Sequence, residues 1–117
     1  MSKHNIKTVS DVVETNDETL VIFTRGNKLI IDFDNESVTG KWNAKPAGKI
    51  KKVIIYHRQD NINVYNNIYV GDFVRIENTD EENRSDVVFK NVMSLGQTKS
   101  DWHEFLKSKT TSPVVYV

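Results

Sequence analysis

The run Val53-Ile54-Ile55-Tyr56 is the feature that most limits how this chain can fold. Successive side chains of a strand face opposite ways, so an unbroken apolar run in a strand must be covered on both sides. The segment Ile50 to Arg58 is therefore expected to be a central strand of a sheet. Asn67 to Glu77 reads differently. Ile68, Val70, Val74 and Ile76 alternate with Tyr69, Phe73, Arg75 and Glu77, the pattern of a half-buried strand. Gly71 and Asp72 interrupt that alternation, which predicts a bulge or sharp bend of the kind that closes small barrels.

The remaining segments fit around these two strands. Leu20 to Thr24 and Lys28 to Phe33 flank Arg25-Gly26-Asn27 and read as a hairpin, because glycine and asparagine accept the positive φ of a tight turn. Asp34 to Gly40 reads as polar and turn-like, and Lys41 to Gly48, with Pro46 and Gly48, as irregular, placing Trp42 outside any strand. Asp86 to Leu95 and Pro113 to Val117 give two further strands. Ile6, Val9, Val12 and Val13 recur at helical spacing, with Asn5 or Thr8 as a cap and Asn16-Asp17 as a stop. A second helix is expected over Asp101 to Lys107, capped by Thr98 or Ser100, with Trp102, Phe105 and Leu106 as its apolar stripe. The expectation is one α+β domain over residues 1–117, a small, twisted, mostly antiparallel sheet or barrel with two short helices. Parallel pairing is not expected, since no connection carries a covering helix of adequate length.

Composition matters for what the domain can do. With 117 residues, 38% hydrophobic and 27% charged, the chain can bury one core. It has no cysteine, which excludes disulfides, thiolate metal sites and a nucleophilic thiol and suits a reducing compartment. No stretch approaches the roughly 20 apolar residues of a membrane-spanning helix, and no signal-peptide pattern opens the chain. A soluble, cytoplasmic protein is expected. Net charge is zero but unevenly distributed. From Val38 to Gln59 there are six cations, Lys41, Lys45, Lys49, Lys51, Lys52 and Arg58, and no acid. From Gly71 to Asp86 six acids stand against Arg75 and Arg84. Each run serves equally as a solvated face or as a patch for a charged partner.

Catalytic and metal-binding patterns are weak. His4, His57 and His103 lack any ligand spacing, and with no cysteine neither a metal site nor a bound cofactor is expected. Asp32, Asp34 and Glu36 alternate, with Lys41 following, a faint echo of metal-dependent nucleases, but the expected acid-x-Lys strand is missing. Exposed acids at a strand end explain them as well. There is no Gly-x-Ser-x-Gly elbow and no phosphate-cradling glycine loop. The chemistry left over is aromatic and basic: Trp42 among cations, and Tyr56-His57-Arg58 ending the central strand. Rings stack on nucleobases and cations hold phosphates, so the set suits a nucleotide or single strand. Equally, Trp42 can plug a barrel end while Tyr56 lies in the core.

Between Trp42 and Ile76, the segments Val53-Ile54-Ile55-Tyr56-His57-Arg58 and Ile68-Tyr69-Val70-Gly71-Asp72-Phe73-Val74 resemble successive barrel strands of the PUA-like superfamily, which includes EVE, ASCH and YTH domains. The resemblance covers about a third of the chain and implies a small β-barrel that binds RNA or a modified base in DNA. It also implies that Trp42 and Tyr56 line a pocket bordered by Arg58. In that family a Gly-Asp pair precedes the strand ending in Tyr, whereas here Lys51-Lys52 stands there and Gly71-Asp72 falls in the next strand. The first forty residues match no part of the pattern.

The expected function is a non-enzymatic binding module recognising DNA or RNA, through Trp42, Tyr56, Arg58, Lys41, Lys45, Lys49, Lys51 and Lys52. The alternative is a protein-interaction module such as an inhibitor, immunity protein or complex subunit. A nuclease-like enzyme using Asp32 and Asp34 is the third possibility.

Overall fold

The structure is a computed structural model that describes residues 6–14, 16, 18–24, 28–42, 50–58 and 66–117, with Lys41 described by its backbone alone. The strands are β1 (Thr19–Thr24), β2 (Lys28–Ile30), β3 (Ser37–Trp42), β4 (Lys52–Arg58), β5 (Asn66–Asn78), β6 (Ser85–Thr98) and β7 (Val114–Tyr116), and one helix, α1 (Trp102–Leu106), precedes β7. They form a single sheet in the order β2-β3-β6-β5-β4-β1-β7. The sheet is mixed and curls into a half-barrel with little helix. Among the described residues no helix is long and apolar enough to cross a membrane.

β4 is the two-faced strand that its apolar run requires. Val53 and Ile55 enter an inner core with Leu20, Ile22, Trp42, Val87 and Phe89. Ile54 and Tyr56 enter a second cluster on the opposite face with Val21, Ile68, Phe105 and Leu106. β1 is equally two-faced: Leu20, Val21 and Ile22 are fully buried. Its faces enter both clusters, and its backbone pairs on both edges, with β4 in parallel and β7 in antiparallel register. The expected β1–β2 hairpin is therefore replaced. β2, with Lys28 and Ile30 exposed, pairs with β3 at the far edge of the sheet. The parallel pair also departs from expectation, and its crossover is built by β2 and β3 rather than by a covering helix.

The segment expected to be a turn, Asp34 to Gly40, contributes most of β3. Ser37 and Thr39 are buried because each finds a backbone partner. Ser37 Oγ accepts from the Asp32 N–H at 2.8 Å and donates to the Asp32 carbonyl, while Thr39 Oγ1 donates to the Lys28 carbonyl. Hydrogen bonding thus offsets the cost that made these residues look exposed.

β5 and β6 form a long ribbon whose register shifts at several points, one of them between Val70 and Asp72, where a bulge was expected. At this shift the one extra residue is on β6, where Asn91, with φ 54°, and Val92 stand against Gly71. Gly71 lies opposite, where a Cβ would stand 2.9 Å from the Lys90 carbonyl oxygen and 3.0 Å from the Phe89 ring. Only a residue without a side chain lets the two strands bend together here.

Two short α-helices were expected and one forms. Val9–Asp11 is a single 3-10 turn, because the Asp11 carboxylate accepts both the Lys7 and the Thr8 N–H and the β-branched residues around it favour no longer helix. In α1 the apolar stripe docks as expected, but the cap is Asp101, which accepts from the Glu104 N–H at 2.8 Å.

Candidate functional site

Trp42 and Tyr56 do not share a pocket. Trp42 ends β3, a correction to its expected place outside a strand, and is 6% exposed in the inner core with Nε1 donating to Thr39 Oγ1 at 3.0 Å. Tyr56 is 1% exposed in the other cluster, stacked on Phe23 and edge-on to Trp102. Its hydroxyl donates to the Ser100 carbonyl at 2.6 Å and accepts from Asn66 Nδ2. Burial pushes the phenol up to about 12, helped by the negative charge of Asp101. The two rings occupy separate cores on opposite faces of one sheet.

Of the cations named from sequence, the described ones lie at opposite ends of β4. Arg58 is exposed at the end of β4. Lys51 is exposed and pairs with Glu18 at 3.4 Å, and Lys52 pairs with Asp72. Lys45 and Lys49 lie outside the described residues, as does the side chain of Lys41. The acids are used locally. Asp32 accepts from the Asp34 and Asn35 N–H groups in a turn, and Glu36 holds Arg75 through two hydrogen bonds of 2.9 Å. A shallow depression lined by Asp34, Asn35, Glu36, Lys90 and Asn91 lies beside them. Among the described residues no group of three histidines or acids is arranged to hold a metal.

One polar row was invisible in the sequence. Thr24 Oγ1 lies 2.8 Å from His57 Nδ1, His57 is opposite Asn67 in the β4–β5 register, and Gln97 Nε2 donates to Asn67 Oδ1 at 3.1 Å. Its members come from four strands, so no spacing in the chain announces them. Thr24 with His57 and Asn67 with Gln97 form two cross-strand polar pairs side by side.

The two edges of the sheet are treated very differently. On β7, Val117 and Pro113 bond to β1, so the backbone groups of Val114 and Tyr116 face outward. Ser112 Oγ donates to the Val114 carbonyl and accepts from its N–H, capping that half of the edge, while Tyr116 is 42% exposed with no such cap among the described residues. On β2 the outward side has no such cap among the described residues. Ile30 is 55% exposed there, and Phe33, three residues on, is 57% exposed. The sequence signal was present in the segment Leu29-Ile30-Ile31-Asp32-Phe33, and at the edge of the sheet Ile30 is left uncovered.

Comparison with known proteins adds no relative: no family model matches the chain, and neither a curated protein nor a solved structure does.

Proposed function

We propose that this chain is a non-catalytic protein-interaction module that receives an extended polypeptide segment along the free edge of β2. One observation carries the reading: on β7 Ser112 occupies the outward backbone groups of Val114, while among the described residues no side chain caps the outward groups of β2, where Ile30 is exposed. An uncapped edge offers backbone donors and acceptors to an incoming strand, and apolar side chains beside it supply the area such pairing needs. Lysine on an edge strand usually deters this. Here Lys28 is drawn back onto Asp86 at 2.7 Å, which neutralises the deterrent.

An aromatic pocket for nucleic acid would need Trp42 and Tyr56 together, and their separate cores favour the protein-interaction reading over it. The test is affinity capture with the parent chain and with an Ile30→Lys, Phe33→Ser variant. Both positions are exposed, so the variant keeps its fold. A protein retained by the parent and lost by the variant supports the reading, and capture unchanged by the variant overturns it.

A further inference from the structure

We propose that the strand received by β2 is β2 of a second copy of this chain, antiparallel about a two-fold axis through Ile30. This rests on the reading of the edge as an interface and adds its occupant. The Lys28 carbonyl accepts from Thr39 Oγ1, and Ser37 Oγ takes both the N–H and the carbonyl of Asp32. Residues 28, 30 and 32 thus turn their backbone groups toward β3, and alternation leaves those of Leu29 and Ile31 facing outward.

Centring an antiparallel pair on Ile30 sets Leu29 opposite Ile31 of the second copy. The outward-facing residues then meet each other, and each such pair exchanges both of its N–H···O bonds. Ile30 meets its own copy in a non-hydrogen-bonded pair, where side chains approach closest and Cα atoms stand about 4.5 Å apart. The exposed isoleucine is thereby covered. Lys28 falls opposite Asp32 of the second copy, so the register joins opposite charges and opposes no like ones. Lys28 keeps 44% of its side chain exposed while bonded to Asp86, leaving it able to face that carboxylate.

The asymmetry of the edges also selects the geometry. Pairing β2 with β7 of another copy would build an open filament, but Ser112 occupies the outward groups of Val114 and leaves only those of Tyr116 for such a ladder. Two identical free edges close on each other and stop at a dimer.

Because the chain has no cysteine, Ile30→Cys places a single thiol beside the axis. A pair at this separation fits disulfide geometry, so with oxidised glutathione Ile30→Cys should form a covalent dimer about tenfold or more faster than the equally exposed Met93→Cys. Sedimentation equilibrium of the parent should show a monomer–dimer equilibrium that Ile30→Lys weakens by about tenfold or more. A parent that stays monomeric at every concentration, or equal cross-linking rates for the two cysteines, would overturn the proposal. If the parent is monomeric yet Ile30→Lys abolishes capture of another protein, the two-fold pairing is wrong and the edge reading stands. If Ile30→Lys alters neither, both readings fall.

Discussion

Lys28 and Asp86 are joined across a strand that lies between them: Lys28 on β2 reaches over Gly40 of β3 to place its ammonium 2.7 Å from the carboxylate of Asp86 on β6. The bridge exists because Gly40 has no side chain. A Cβ there would stand 1.8 Å from Asp86 Oδ1, which is itself buried without a hydrogen-bond partner among the described residues. Asp86 is 8% exposed, so displacing it strands a charge in a poorly solvated place.

Gly40→Ala should therefore cost about 2 kcal/mol, from overpacking and the broken pair together. In an Asp86→Ala background the space is free, and the same substitution should cost much less. Urea denaturation of the four proteins in this cycle measures the coupling. Additive losses would mean that Gly40 and Asp86 act independently.

Tyr56 gives the stability an alkaline limb. Its phenol titrates near 12 in the folded chain and near 10 when exposed, so the unfolded state loses its proton first as pH rises. The contribution is whole below pH 10 and is lost between about 10 and 12, amounting to roughly 2–3 kcal/mol. Tyr56→Phe should flatten that limb in denaturation curves taken across the window. An unchanged slope would place the titration elsewhere.

Trp42 is expected to behave as core. Trp42→Ala should cost about 3–5 kcal/mol, with Trp42→Phe as a milder variant should alanine unfold the chain. Thermal melts decide it: a variant that melts like the parent would mean that the ring holds nothing together.

Asn91 tests the bend in the β5–β6 ribbon. At φ 54° an alanine is strained where a glycine is not, so Asn91→Ala should cost about 1–2 kcal/mol and Asn91→Gly distinctly less. The Asn91 side chain also donates to Asp72 and is the main cause, ahead of Lys52, that holds the Asp72 carboxyl below its ordinary value. That contribution is present above the unfolded value and lost as pH falls. Both substitutions should weaken the acid-side dependence of stability seen in melts at low pH.

How much of this was legible in the sequence depends on where the determining contact lies. β4 was readable from Val53 to Tyr56, because burial on two faces is a property of consecutive residues. The bend at Gly71 was readable because a glycine breaks a local alternation. The partner of β1 was not, since pairing with Lys52 to His57 is decided by residues more than thirty positions away. β3 was hidden because Ser37 and Thr39 look solvated until their partners on Asp32 and Lys28 are known. The pocket that the resemblance implied for Trp42 and Tyr56 is not formed for a related reason: the two rings belong to different clusters, on opposite faces of the sheet. The open edge needed topology, because the same apolar run would have been covered in the middle of the sheet.

The position of β1 also sets the order in which the molecule can be assembled. Its parallel neighbour follows after β2 and β3, and its other neighbour ends in Val117, whose carbonyl accepts from the Thr19 N–H. A nascent chain emerging from the ribosome therefore carries an apolar strand, Leu20 to Phe23, that has no partner until β4 has been made and lacks its second one until residues 114–117 have been made. Long-range pairing of this kind slows folding, because loop closure precedes the contacts that reward it. The waiting strand is the segment a chaperone would be expected to hold, and the one through which misassembly would begin.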